Sequence, residues 1–97
     1  MQVEWDPEKD RANRIKHGLG FDEVRILFES DTDYLVIYDE EHSEDEDRFL
    51  AIGPIPKGVA TVAFTEPQDD VIRIISARMA TPTEEEAFYK RAGGRKR

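Results

Sequence analysis

Apolar and polar positions change their period several times along this chain. Val3 and Trp5 alternate within residues 1–5, the period of a short opening strand. Asp6 and Pro7 then open a helix predicted over 6–17. Asp6 can accept hydrogen bonds from the free amides of the first turn, and Pro7 gives up an N–H that has no helical partner there. The apolar content of this helix, mainly Ala12 and Ile15, is thin, so most of its surface must face water; Gly18 supplies a left-handed stop. Phe21, Val24, Leu27 and Phe28 recur at three- and four-residue steps, which predicts a second helix over 21–29 with a core-facing stripe.

From Tyr34 onward the pattern turns β-rich. Runs at 34–38, 48–53, 59–66 and 71–77 are separated by the turn formers Gly53-Pro54, Lys57-Gly58 and Pro67-Gln68-Asp69-Asp70. Links this short favour an antiparallel meander across 34–78. Thr81-Pro82-Thr83-Glu84 announces a last helix over 81–92, with Thr81 as cap and Glu84 closing a capping box; Gly93-Gly94 stops it and 93–97 reads as a frayed tail. The sum is one α+β domain, 1–97, with two N-terminal helices, a four-stranded antiparallel sheet and a C-terminal helix.

Composition changes this picture little, except through charge. With 97 residues there is room for one small core. No apolar run is long enough to span a bilayer, Met1 to Asp10 lacks the basic and apolar regions of a signal peptide, and the absence of cysteine removes disulfides and thiolate metal sites. A cytoplasmic protein without membrane contact is expected. The net charge of −8 speaks against a partner that is itself a polyanion. The charge is uneven, however: residues 22–47 hold twelve acids and one base, leaving thirteen bases and ten acids elsewhere, so a basic face remains possible. Seven of those acids fall between Asp39 and Asp47, a solvated loop.

Candidate chemistry is sparse. His17 and His42 have no ligand spacing, the acidic loop lacks the spacing and central glycine of a calcium loop, and no phosphate-cradling glycine motif or nucleophile elbow is present, so neither metal nor cofactor is expected. Arg73 and Arg78 stand out because they lie in an intensely apolar strand. A guanidinium stays charged and can hold two phosphate oxygens, yet regular alternation puts these two on opposite faces; they can converge only if the strand ends or bulges near Ala77. The competing structural reading is that each bonds a nearby carboxylate, such as Glu66 or the acidic loop. Glu66 ends the preceding strand and is a candidate base or arginine orienter. Arg48 opens the second strand, and Lys16 and His17 close the first helix, where the helix dipole favours cations and His17 is exposed enough to pass a proton.

Taken together, Glu4-Trp5-Asp6-Pro7-Glu8-Lys9, the stretch from Asn13 through Lys16-His17-Gly18-Leu19-Gly20-Phe21, Arg48-Phe49-Leu50-Ala51-Ile52-Gly53 and Arg73-Ile74-Ile75-Ser76-Ala77-Arg78-Met79-Ala80-Thr81 resemble the BrnT family of bacterial toxins over nearly the whole chain. The resemblance implies a RelE-like α+β endoribonuclease that cleaves RNA without a metal, inhibits translation and is held inactive by a ribbon-helix-helix antitoxin, BrnA, through which alone it would meet DNA. It further implies Arg73 and Arg78 as phosphate stabilisers, Glu66 as base or orienter, His17 as proton donor, and Lys16 and Arg48 as RNA contacts. The acid load between Asp39 and Asp47 is heavy for an RNA-cutting enzyme and suits a basic partner. A protein that only binds and tunes a small transcriptional repressor, without catalysis, is the alternative.

Overall fold

The computed structural model describes residues 1–30 and 32–91. The expected tail at 93–97 and the last residue of the expected helix, 92, lie outside the described residues. Strand β1 (Gln2–Trp5) leads into helix α1 (Pro7–His17), followed by the short helices α2 (Phe21–Val24) and α3 (Ile26–Glu29). Strands β2 (Leu35–Tyr38), β3 (Arg48–Ile55), β4 (Gly58–Gln68) and β5 (Val71–Met79) and helix α4 (Pro82–Arg91) complete the chain, with a single 3-10 turn at Glu40–His42 between β2 and β3.

The local signals behave as their chemistry dictates. The Asp6 carboxylate accepts from the Glu8 amide at 2.9 Å, and Gly18 ends α1 with φ +67° while its N–H bonds the Arg14 carbonyl. The predicted helix over 21–29 forms with a break: Arg25 keeps helical dihedrals, but the hydrogen bond from Phe28 N–H to the Arg25 carbonyl tightens the turn there.

The sheet departs from the expected four-stranded antiparallel arrangement. It has five strands in the order β1-β5-β4-β3-β2, and β1 lies parallel to β5, with Val3 opposite Ile72 and Glu4 opposite Arg73. β1 docks beside the last strand, whose edge is otherwise bare along Val71 to Ile74. The RelE-like expectation fails in that detail, while the α+β class stands.

One face of the sheet carries the main core. Val3, Ala60, Val62, Phe64, Ile72, Ile74 and Ala77 meet Leu19, Phe21, Val24, Leu27 and Phe28 from the first three helices. Gly53 makes that contact possible: a Cβ there would sit 2.7 Å from Leu27 and 2.8 Å from the Tyr34 side chain. The second face is only partly covered, with Phe88 and Tyr89 of α4 packing on Ile52, Val59 and Leu35 at one end. The apolar residues assigned to α1 do not enter either core. Ile15 is 83% exposed and Ala12 is exposed, while the residue of α1 that is buried is Asn13.

Candidate active site

The arrangement of the charged residues follows from one irregularity in β5. Ala63 pairs with Ser76, but the next residue of β4, Phe64, pairs with Ile74, so Ile75 is an extra, bulged residue. Ile74 and Ala77 are consequently both buried in the main core although three apart, and Arg73 and Arg78, on either side of them, emerge together on the second face. The bulge that brings the two arginines to one face therefore lies at Ile75, two residues before Ala77.

They share a face but not a pocket. With a rise of about 3.3 Å per residue, their Cα atoms stand roughly 15 Å apart. Arg73 bonds its strand neighbour Glu4, with Nε 2.8 Å and Nη2 2.7 Å from one carboxylate oxygen. Arg78 makes a bidentate pair with Glu84 at the start of α4, at 2.8 and 2.9 Å. Glu84 also accepts from the Thr61 hydroxyl and the Thr81 amide. The Arg78 hydrogen bonds, aided by those from Thr81 and Thr61, hold the Glu84 carboxyl down at about 2, against an ordinary 4.5; Arg78 is raised in turn, chiefly by the bond to Glu84. The carboxylates that hold the arginines are thus Glu4 and Glu84, not Glu66 or the acidic loop.

Arg48 joins Arg73 instead. Arg48 and Arg73 both stand opposite Thr65, in a row across β3, β4 and β5, so their Cα atoms are roughly 10 Å apart at two strand spacings. Thr65 is only 2% exposed, and both its hydroxyl and the Arg48 Nε are buried without a partner among the described residues. A hollow of about 470 Å³ opens there, lined by Arg48, Thr65, His42 and the acids Glu41, Glu44, Asp45 and Glu46. Asp39 Oδ2 lies 2.9 Å from His42 Nδ1.

Lys16 and His17 border a second hollow along the edge of β5, past the end of β1, together with Lys9, Asn13, Ile75 and Ser76. Lys9 also lines the neighbouring hollow that contains Arg73 and Glu4. A cationic margin therefore runs from Arg73 through Lys9 to Lys16 and His17. Lys9 went unassigned in the sequence, although it stands seven residues before Lys16 and so on the same side of α1. Glu66 is not part of this group. It follows Thr65 and projects from the other face, lining a hollow with Glu46, Asp47, Phe49 and Pro67, and after burial it is the second cause of the raised Tyr34 hydroxyl. Among the described residues no three His, Asp or Glu side chains gather as a metal site.

Comparison with known proteins decides what carries this arrangement. The model of the ribonuclease toxin BrnT, of type II toxin-antitoxin systems, matches residues 5–84, most of the chain. The chain belongs to the BrnT family. The 1.1 Å crystal structure of the Brucella abortus ribonuclease toxin BrnT is similar to it at 26% identity and a TM-score of 0.62, covering 84% of this chain and 97% of that one. No curated protein sequence matches. As a BrnT-family ribonuclease toxin of a type II system, the chain has an antitoxin for a partner. The match takes in β1 from Trp5, the Lys16-His17 turn, the Arg48-Thr65-Arg73 row and the Arg78-Glu84 pair.

Proposed function

We propose that this BrnT-family chain cleaves RNA without a metal by making the RNA's own 2′-hydroxyl the nucleophile, thereby inhibiting translation, and that a ribbon-helix-helix antitoxin of the BrnA kind neutralises it. The observation that supports the reading best is the row Arg48-Thr65-Arg73, two guanidinium groups flanking a buried hydroxyl with no partner among the described residues, continued at the β5 edge by Lys9, Lys16 and His17.

In this mechanism the 2′-hydroxyl passes its proton to solvent water as its oxygen attacks phosphorus, the bond to the 5′-oxygen breaks, and the products are a 2′,3′-cyclic phosphate and a free 5′-hydroxyl. Arg73 uses its remaining donors on the phosphate and offsets the charge that builds on its oxygens; Arg48 binds a neighbouring phosphate. Lys16 contacts the strand beside them. His17 is the one imidazole on this margin, and in its protonated form it donates to the departing 5′-oxygen. Glu66 faces away from the row, so we give it no part in the chemistry, and Arg78 acts through Glu84 on the position of α4.

Incubating the purified chain with RNA in EDTA tests this. Cleavage with cyclic-phosphate ends is expected, and Arg73→Ala should slow it by about 10²–10³-fold, as for loss of one transition-state donor, with an unchanged melting curve. RNA left intact by the wild-type chain alone, when that same chain still forms a stable complex with the antitoxin, would instead favour the purely protein-binding alternative, which the carboxylate partners of Arg73 and Arg78 also permit.

A further inference from the structure

The two edges of the sheet are finished differently. At the β5 side, β1 covers Val71 to Ile74, and beyond it the Asn13 side chain takes up the N–H and C=O of Ala77. At the other side β2 pairs with β3 alone. The Asp39 amide bonds the Arg48 carbonyl at 2.8 Å, so alternation turns the main-chain groups of Leu35 and Ile37 toward β3 and those of Val36 and Tyr38 outward.

Exposed edges are ordinarily blunted by lysine, proline, a bulge or a covering element. Leu35-Val36-Ile37-Tyr38 has no lysine or proline, and Val36, Ile37 and Tyr38 are 48%, 40% and 49% exposed. These side chains alternate between the two faces, so an added strand gains apolar cross-strand neighbours on both. Directly after β2 come the seven acids of Asp39 to Asp47. Among the described residues none of them pairs with a lysine or arginine; Asp39 meets His42 and Asp47 accepts from the Tyr38 hydroxyl.

We infer that the outer edge of β2 and the acidic turn beyond it form the docking surface for an extended, basic segment of the antitoxin. The inference rests on the family reading that an antitoxin exists. Its apolar residues pair with Val36, Ile37 and Tyr38 as a sixth strand, and its lysines or arginines answer Glu41, Glu44, Asp45 and Glu46. The sign of the charge selects a cationic peptide over a nucleic acid. A segment seated there lies against the hollow beside Arg48 and Thr65, so docking also closes one end of the arginine row.

The test uses the full chain with the antitoxin encoded beside it. In the complex, the Val36 and Tyr38 amides should become protected from hydrogen exchange, and exchange as fast as in the free chain overturns the inference. Calorimetric titration should show Val36→Pro binding at least tenfold more weakly with an unchanged melting curve, because the amide removed faces solvent. If that variant melts early, a loop variant decides: Glu44→Lys/Asp45→Lys/Glu46→Lys should also lose at least tenfold, with the loss shrinking at high salt. Wild-type affinity in the loop variant overturns the charge argument, whereas failure of the wild-type chain to bind any antitoxin overturns the partner reading itself.

Discussion

Asn13 ties α1 to β5 through buried side-chain hydrogen bonds. Its Nδ2 donates to the carbonyls of Leu19 and Ala77, both at 2.8 Å, and its Oδ1 accepts from the Ala77 amide at 3.0 Å. The side-chain amide thus stands in for the peptide of a strand that ended at Trp5. Asn13→Leu leaves an N–H and two carbonyls buried without partners, and the expected loss is about 2–4 kcal/mol in urea unfolding; a loss below about 1 kcal/mol contradicts this role. Asn13→Asp should be worse, since a carboxylate would face both carbonyls. Apolar periodicity could not reveal this residue, because a helix anchored by a polar side chain has no apolar signature.

At the scale of elements, α4 is fixed to the sheet by Arg78, Thr61 and Glu84. Because the Glu84 carboxyl is held at about 2 in the folded chain, below its ordinary value, the stabilisation is present above about pH 5 and is withdrawn as pH falls toward the folded value. Arg78 is partly solvated, which limits the effect to about 1–2 kcal/mol. Glu84→Gln should therefore melt lower than wild type at pH 7 and converge with it near pH 2; parallel curves throughout would show that the pair contributes nothing. The capping box at Thr81 and Glu84 was legible in the sequence, as were Asp6, Gly18 and the four late strands, since each follows from local chemistry. The bulge at Ile75 was not, because an unbroken apolar run carries no mark of where one residue drops out of register. The parallel seating of β1 and the face taken by Glu66 depend on distant pairing and were equally hidden.

For the molecule as a whole, charge is unevenly divided. Arg73, Lys9, Lys16 and His17 line one side of the sheet, and the acids of Asp39 to Asp47 crowd the other, beside Arg48. A bound polyanion feels both. Neutralising the loop with Glu44→Gln/Asp45→Asn/Glu46→Gln should tighten RNA binding by about 3–10-fold at low salt, with the gain fading as screening increases. Fluorescence anisotropy across a salt series measures this, and an unchanged affinity would place the RNA path away from Arg48. The net charge of −8 conceals this division, although the concentration of acids in residues 22–47 already hinted at it.

The seam between β1 and β5 also sets an order of events during biosynthesis. Glu4 leaves the ribosome 69 residues ahead of its partner Arg73, which emerges only with β5. Until then the nascent chain has neither its final sheet nor the strand that aligns Arg73 with Arg48 across Thr65. Pairing across so long a loop is intrinsically slow to form. Under the proposed mechanism, a ribosome translating this message therefore meets no assembled arginine row on the chain it is making, and a product truncated before β5 should leave RNA intact.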